Sequence, residues 1–85
     1  MKEFTYVVKD SAGIHARPAG LLAKKAAGFK SDITIKKDDK SAAAKKLLAL
    51  MSLCVKCEDQ ITVVIEGEDE DAAYTEIKAF LEENL

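Results

Sequence analysis

Apolar residues along this chain change their period several times, and each change marks a predicted element. Phe4, Tyr6 and Val8 fall on one side of an extended segment with Thr5 and Val7 on the other, which predicts a first strand over Phe4 to Val8. The small and polar residues Asp10, Ser11, Ala12 and Gly13 predict a turn. Pro18 is tolerated only in the first turn of a helix, so a helix is expected to begin at about Ala16. Ala19, Leu22, Ala26 and Phe29 continue it at helical spacing, with Gly28 as a stop. Asp32 to Lys36 alternates as a strand, Lys37 to Lys40 reads as a polar turn, and Ser41 to Ala43 as a weak return strand. Lys45 to Leu53 predicts a short helix, Ile61 to Glu66 a strand, and the run Gly67 to Asp71 an acidic helix start favoured by the macrodipole. Ala73, Ile77, Phe80 and Leu81 are the expected buried stripe of that last helix.

The predicted order is βαββαβα, an α+β class. Order alone suggests an antiparallel sheet with helices on one face, for which the ferredoxin-like split βαβ is the commonest solution, but order does not determine which strands are neighbours. The 85 residues are enough for one modest core, and 48% hydrophobic with 33% charged residues suits a soluble globule. A net charge of -2 carries no electrostatic footprint of duplex binding, so no nucleic-acid partner is expected. The sequence carries no long apolar segment for export or membrane insertion, and it reads as cytoplasmic. In that compartment Cys54 and Cys57 are expected to be reduced.

Candidate chemistry gathers where the first turn becomes a helix. His15 is the only histidine, with Arg17 two residues later. A neutral imidazole attacks phosphorus through its own lone pair and needs no general base. A helix N-terminus offers unpaired N–H groups and partial positive charge to a phosphate, and an arginine adds charge-assisted hydrogen bonds. Since phosphoryl transfer asks mainly for positioning and charge stabilisation, these groups suffice once a partner supplies the rest. Local physics leaves other readings open: a lone histidine near a helix start is commonly a surface or capping residue, and Arg17 a solvated charge. Gly13 and Gly20 match neither phosphate-cradling glycine motif.

The run Gly13-Ile14-His15-Ala16-Arg17-Pro18-Ala19 resembles the phosphohistidine signature of the HPr family, phosphocarriers of the bacterial phosphoenolpyruvate-dependent sugar phosphotransferase system. The similarity extends to Met51-Ser52-Leu53, to Glu66-Gly67 with the acidic helix after it, and to overall length, so residues 1–85 are expected to form one HPr domain. The resemblance implies an open-faced β-sandwich, a four-stranded antiparallel sheet of order 1-4-2-3 covered on one face by three helices. It implies that His15 accepts phosphate on Nδ1 from phosphorylated enzyme I and passes it to IIA domains of sugar permeases. Arg17 would then stabilise the phosphate, the backbone of Ala16 and Arg17 would bind it, and the protein would be a carrier, not an enzyme, without cofactor or metal and expected as a monomer.

The second helix supports a docking surface independently. At about 100° per residue its apolar positions spread too far for one core face. Leu50, Leu53 and Cys54 share one arc, and Leu47, Leu48 and Met51 occupy another. The second set matches the family's partner surface, with Gly20 counted in the same interface, and Lys24, Lys45 and Lys46 are candidates to ring it and steer acidic partners, although lysines commonly just solvate a surface. The alternative reading is a short helix buried all round.

Three departures stand out, the first being Gly20 where related sequences often have alanine or threonine, which weakens the first helix slightly. Many regulatory members carry a kinase-labelled serine where this chain has Lys46, so no regulatory serine is expected, and neither Ser41 nor Ser52 takes that position. Cys54-Val55-Lys56-Cys57 replaces a segment often rich in glycine; one CxxC supplies too few ligands for a closed zinc site, and structural thiols packed as small hydrophobes are expected. A metal or redox module built on those cysteines, a regulatory binding protein of the same fold, and a nitrogen-related relay are the competing functions.

Overall fold

The computed structural model describes residues 1–11, 13–14 and 16–85. Its elements are β1 (Lys2–Val7), α1 (Ala16–Ala27), β2 (Asp32–Lys37), β3 (Lys40–Ala43), α2 (Leu47–Ser52), β4 (Gln60–Glu66) and α3 (Glu70–Asn84). The strands form one antiparallel sheet in the order β1-β4-β2-β3, with β4 and β2 central. This is the order the resemblance implies, and not the ferredoxin-like arrangement that element order favours.

Register follows the alternation. Phe4 pairs with Val63, Val63 with Ile35 and Ile35 with Ala42, so one row of the sheet points to the helices. Ile33, Ile35, Ile61, Val63 and Ile65 are buried on that side against Leu22, Ala26, Leu50, Ile77 and Leu81. Thr5, Thr62, Lys36 and Ser41 form a row on the other face, which no helix covers.

Boundaries shift for identifiable reasons. β1 starts at Lys2 and ends at Val7, and the Val8 amide then donates to the Asp59 carbonyl at 3.0 Å. The second helix is shorter than the predicted Lys45 to Leu53. Lys46 is extended (φ -111°, ψ 106°), and the Leu53 amide bonds back to Leu50 as the helix tightens and ends. In α3 the buried stripe is Ala73, Ile77 and Leu81, continued by a buried Leu85, while Phe80 is only half-buried because the i, i+4 row passes it by.

One polar contact pins the start of β2 to the start of α3. The Ser31 side chain, fully buried, donates its hydroxyl to Asp69 Oδ1, and the amides of Lys30 and Ser31 reach the same carboxylate at 2.8 and 2.9 Å. These bonds, the Ser31 hydroxyl foremost, hold the Asp69 carboxyl below its usual 3.8. A depressed carboxyl stabilises the fold above its unfolded pKa and loses that contribution as pH falls through the folded value. Asp69→Asn should therefore be less stable than wild type near neutral pH. In urea titrations across pH, the gap should close in acid below 3.8; a gap constant with pH would rule out the carboxylate as its source.

Candidate functional site

The head of α1 is held from behind by the loop between α2 and β4. Gly13 has φ +69°, and a Cβ built on it would lie 2.2 Å from the Val55 carbonyl oxygen and 2.7 Å from Lys56 Cα. No residue but glycine fits that contact without moving the backbone. The Gly13 amide donates to Asp10 at 2.9 Å and the Ile14 amide to Val55 at 3.0 Å. The Glu58 amide donates to Val8 at 2.6 Å, so residues 55–59 run as a clamp along residues 8–14.

The clamp has its own anchor. Lys37, at the end of β2, donates from Nζ to the Cys54 carbonyl at 2.9 Å and pairs with Asp59 at 3.0 Å. The Asp59 carboxylate also takes the Lys56 amide at 2.8 Å, and that bond, followed by Lys37, keeps its carboxyl below the usual value. The long-range bonds of this network were not legible from local sequence, because Gly13, Lys37 and the loop that carries Val55 and Asp59 come from separate parts of the chain.

On α1, Pro18, Ala19, Leu22 and Ala26 are buried, which leaves Arg17, Gly20, Leu21 and Lys24 along the outward side. Ala16 and Arg17 are exposed in the first turn. Arg17 lines a cleft of about 300 Å³ with Asp10, Pro18, Leu21 and Asn84. His15, the candidate acceptor, lies outside the described residues, as does Ala12.

α1 packs beside α2, whose two arcs separate as the helical wheel predicts. Leu50 is buried, whereas Leu47, Leu48 and Met51 are 39%, 81% and 39% exposed. Leu21, at 46%, is a further exposed apolar side chain on α1; its sequence signal was a leucine out of phase with the Ala19, Leu22, Ala26 stripe. Space is open around the Gly20 Cα, and Lys24, Lys45 and Lys46 are exposed. The two cysteines depart from expectation. Cys54 is exposed and Cys57 half-exposed, because Cys54 takes φ +54° just after α2 and turns away from the arc of Leu50 and Leu53.

Residues 2–83 match the family model described as the PTS HPr component phosphorylation site. The chain belongs to the HPr family of the phosphotransferase system. A phosphocarrier role comes with that family. The HPr of Mycoplasma genitalium is 44% identical over 99% of this chain and 97% of its own length. Among solved structures, HPr from Thermoanaerobacter tengcongensis superposes with a TM-score of 0.92 at 38% identity, over 96% of this chain and 92% of that one. The HPr-like Crh of Bacillus subtilis superposes at 0.78 and 35% identity, over 100% and 98%, and its structure is described as a dimer with a swapped domain. Among the described residues no helix is long and apolar enough to cross a membrane.

The Gly13 contact is directly testable. Gly13→Ala forces a side chain into left-handed backbone and against Val55, and should cost roughly 2–4 kcal/mol in urea unfolding. A loss below about 0.5 kcal/mol, the scale of an ordinary surface change, would mean the clamp is slack.

Proposed function

We propose that His15 is the phosphoryl acceptor of this HPr-family chain, taking phosphate on Nδ1 from phosphorylated enzyme I and giving it to IIA domains of sugar permeases. The observation that carries this reading is the signature from Gly13 to Ala19 at the head of α1, with Arg17 exposed in the first turn beside a cleft. Attack by an imidazole lone pair on the phosphoenzyme's phosphorus forms the N–P bond as the donor's bond breaks. The Ala16 and Arg17 amides and the Arg17 guanidinium share the charge of the transferred group, which the positive end of α1 also favours. Transfer onward reverses these steps on a new acceptor, so the protein works as a carrier and not as an enzyme with a substrate of its own.

Leu47, Leu48 and Met51, with Gly20 and Lys24 on α1, form the partner surface in this reading. The apolar arc excludes water around the site, and the lysines steer acidic partners toward it. One surface serves donor and acceptors in turn, for which a flexible methionine suits. Residues 1–85 act as one HPr unit, in the cytoplasm and as a monomer in the transfer step. Lys46 occupies the place of the regulatory serine of other members, so a metabolite-stimulated kinase should leave residue 46 unlabelled.

Intact mass after incubation with enzyme I, magnesium and phosphoenolpyruvate tests the acceptor. Wild type should gain one acid-labile phosphoryl group and His15→Ala none; an adduct on the variant would move the acceptor elsewhere. Arg17→Ala should slow uptake roughly 10²-fold at unchanged fold stability. Leu48→Asp should leave unfolding within about 0.5 kcal/mol of wild type, since the side chain is exposed, yet raise the KM for enzyme I. An unchanged KM would remove Leu48 from the interface.

A further inference from the structure

Cys54 and Cys57 are the reactive side chains to which the relay assigns no part. Both are free thiols, three residues apart on the clamp loop, the first exposed and the second half-exposed. They bracket Val55, whose carbonyl takes the Ile14 amide and presses on Gly13. Each is also tied into the clamp. The Cys54 carbonyl accepts Lys37 Nζ at 2.9 Å, and the Cys57 thiol donates to the Lys9 carbonyl at an S···O distance of 3.7 Å.

We propose that Cys54 and Cys57 form a peroxide-reactive dithiol whose oxidation to a disulfide within the loop slows phosphoryl uptake at the head of α1. The inference rests on the reading of His15 as acceptor. Exposed Cys54 is the attacking thiol: as thiolate it takes one oxygen of a hydroperoxide, giving a sulfenic acid and, from hydrogen peroxide, water. Cys57 then attacks the Cys54 sulfur, an S–S bond forms, and the sulfenic oxygen leaves as a second water. Two S–H bonds and the O–O bond are broken, and the dithiol's two electrons reduce the peroxide. Two molecules of glutathione, which leave as their own disulfide, or one dithiol reverse the change.

The consequence follows from the bonds lost. Once oxidised, Cys57 has no proton to donate to Lys9, so one tie between the loop and residues 8–14 disappears. The bridge also confines the two Cα atoms to about 4.4–6.8 Å and turns both side chains toward each other. Val55 and Lys56 lie between them, and these are the residues in contact with Gly13. Movement there shifts Ile14 and so the start of α1, where small displacements of a transfer site cost large factors in rate.

The test treats the full chain, and its Cys54→Ser and Cys57→Ser variants, with hydrogen peroxide. Wild type should lose two hydrogens in mass and both free thiols while remaining unlinked to other copies. Amide exchange at Gly13 and Ile14 should speed up, and phosphoryl uptake from enzyme I should fall roughly tenfold and recover with dithiothreitol. Neither variant should show the reversible loss. Thiols that persist, cross-links only between chains, or a disulfide that leaves exchange and uptake unchanged would each overturn the proposal. Should the reduced protein take up no phosphoryl group, the acceptor reading fails, and exchange at Gly13 and Ile14 still decides whether the dithiol moves the clamp.

Discussion

The close approach of Gly13 to Val55 is the constraint on which the working end of this molecule depends. A side chain at Gly13 would meet the Val55 oxygen at 2.2 Å, so the turn before α1 and the loop after α2 touch backbone to backbone. That contact makes the α2–β4 loop a support for the head of α1. It also explains why so much polar bonding converges on the loop: Lys37 and Asp59 hold one side of it, and the Val8 and Ile14 segments hold the other. A transfer site that relies on charge stabilisation gains from such support, because donors already in place need no reorganisation when the phosphoryl group arrives.

Around that support the fold divides its surfaces by role. The sheet buries Ile33, Ile35, Ile61, Val63 and Ile65 under the helices, and the Asp69 carboxylate closes the far end by gathering Lys30, Ser31 and the start of α3. With the core filled by Leu22, Leu50, Ile77 and Leu81, the remaining leucines and Met51 of α1 and α2 are left exposed at the surface. In the proposed relay one surface meets successive partners, and an exposed apolar arc would serve that use without a deep binding pocket.

Much of this was legible from residues alone. Pro18 placed the start of α1, alternation placed β2 and β4 within a residue or two, and the angular spread of α2 separated Leu50 from Leu47, Leu48 and Met51 before any contact was known. Strand order was not, since βαββαβα admits more than one sheet; the resemblance to HPr supplied it. Local pattern also misjudged Cys54, which shares an arc with Leu50 and Leu53 only if the helix continues. Its φ of +54° ends that arc. The bonds from Ser31 to Asp69 and from Lys37 to Asp59 span distant parts of the chain, and periodicity carries no information about such pairs.

The amide spectrum of isotopically labelled protein, recorded before and after phosphorylation by enzyme I and phosphoenolpyruvate, tests the account most directly. If the head of α1 receives the phosphoryl group and the α2–β4 loop supports it, resonances of Gly13, Ile14, Ala16 and Arg17 should move most. Val55 and Lys56 should follow through their contacts with Gly13 and Ile14, with the strands and α3 nearly unchanged. Large changes centred on Ser41 or Ser52, or a phosphorylated protein whose Gly13 to Arg17 resonances stay in place, would contradict it.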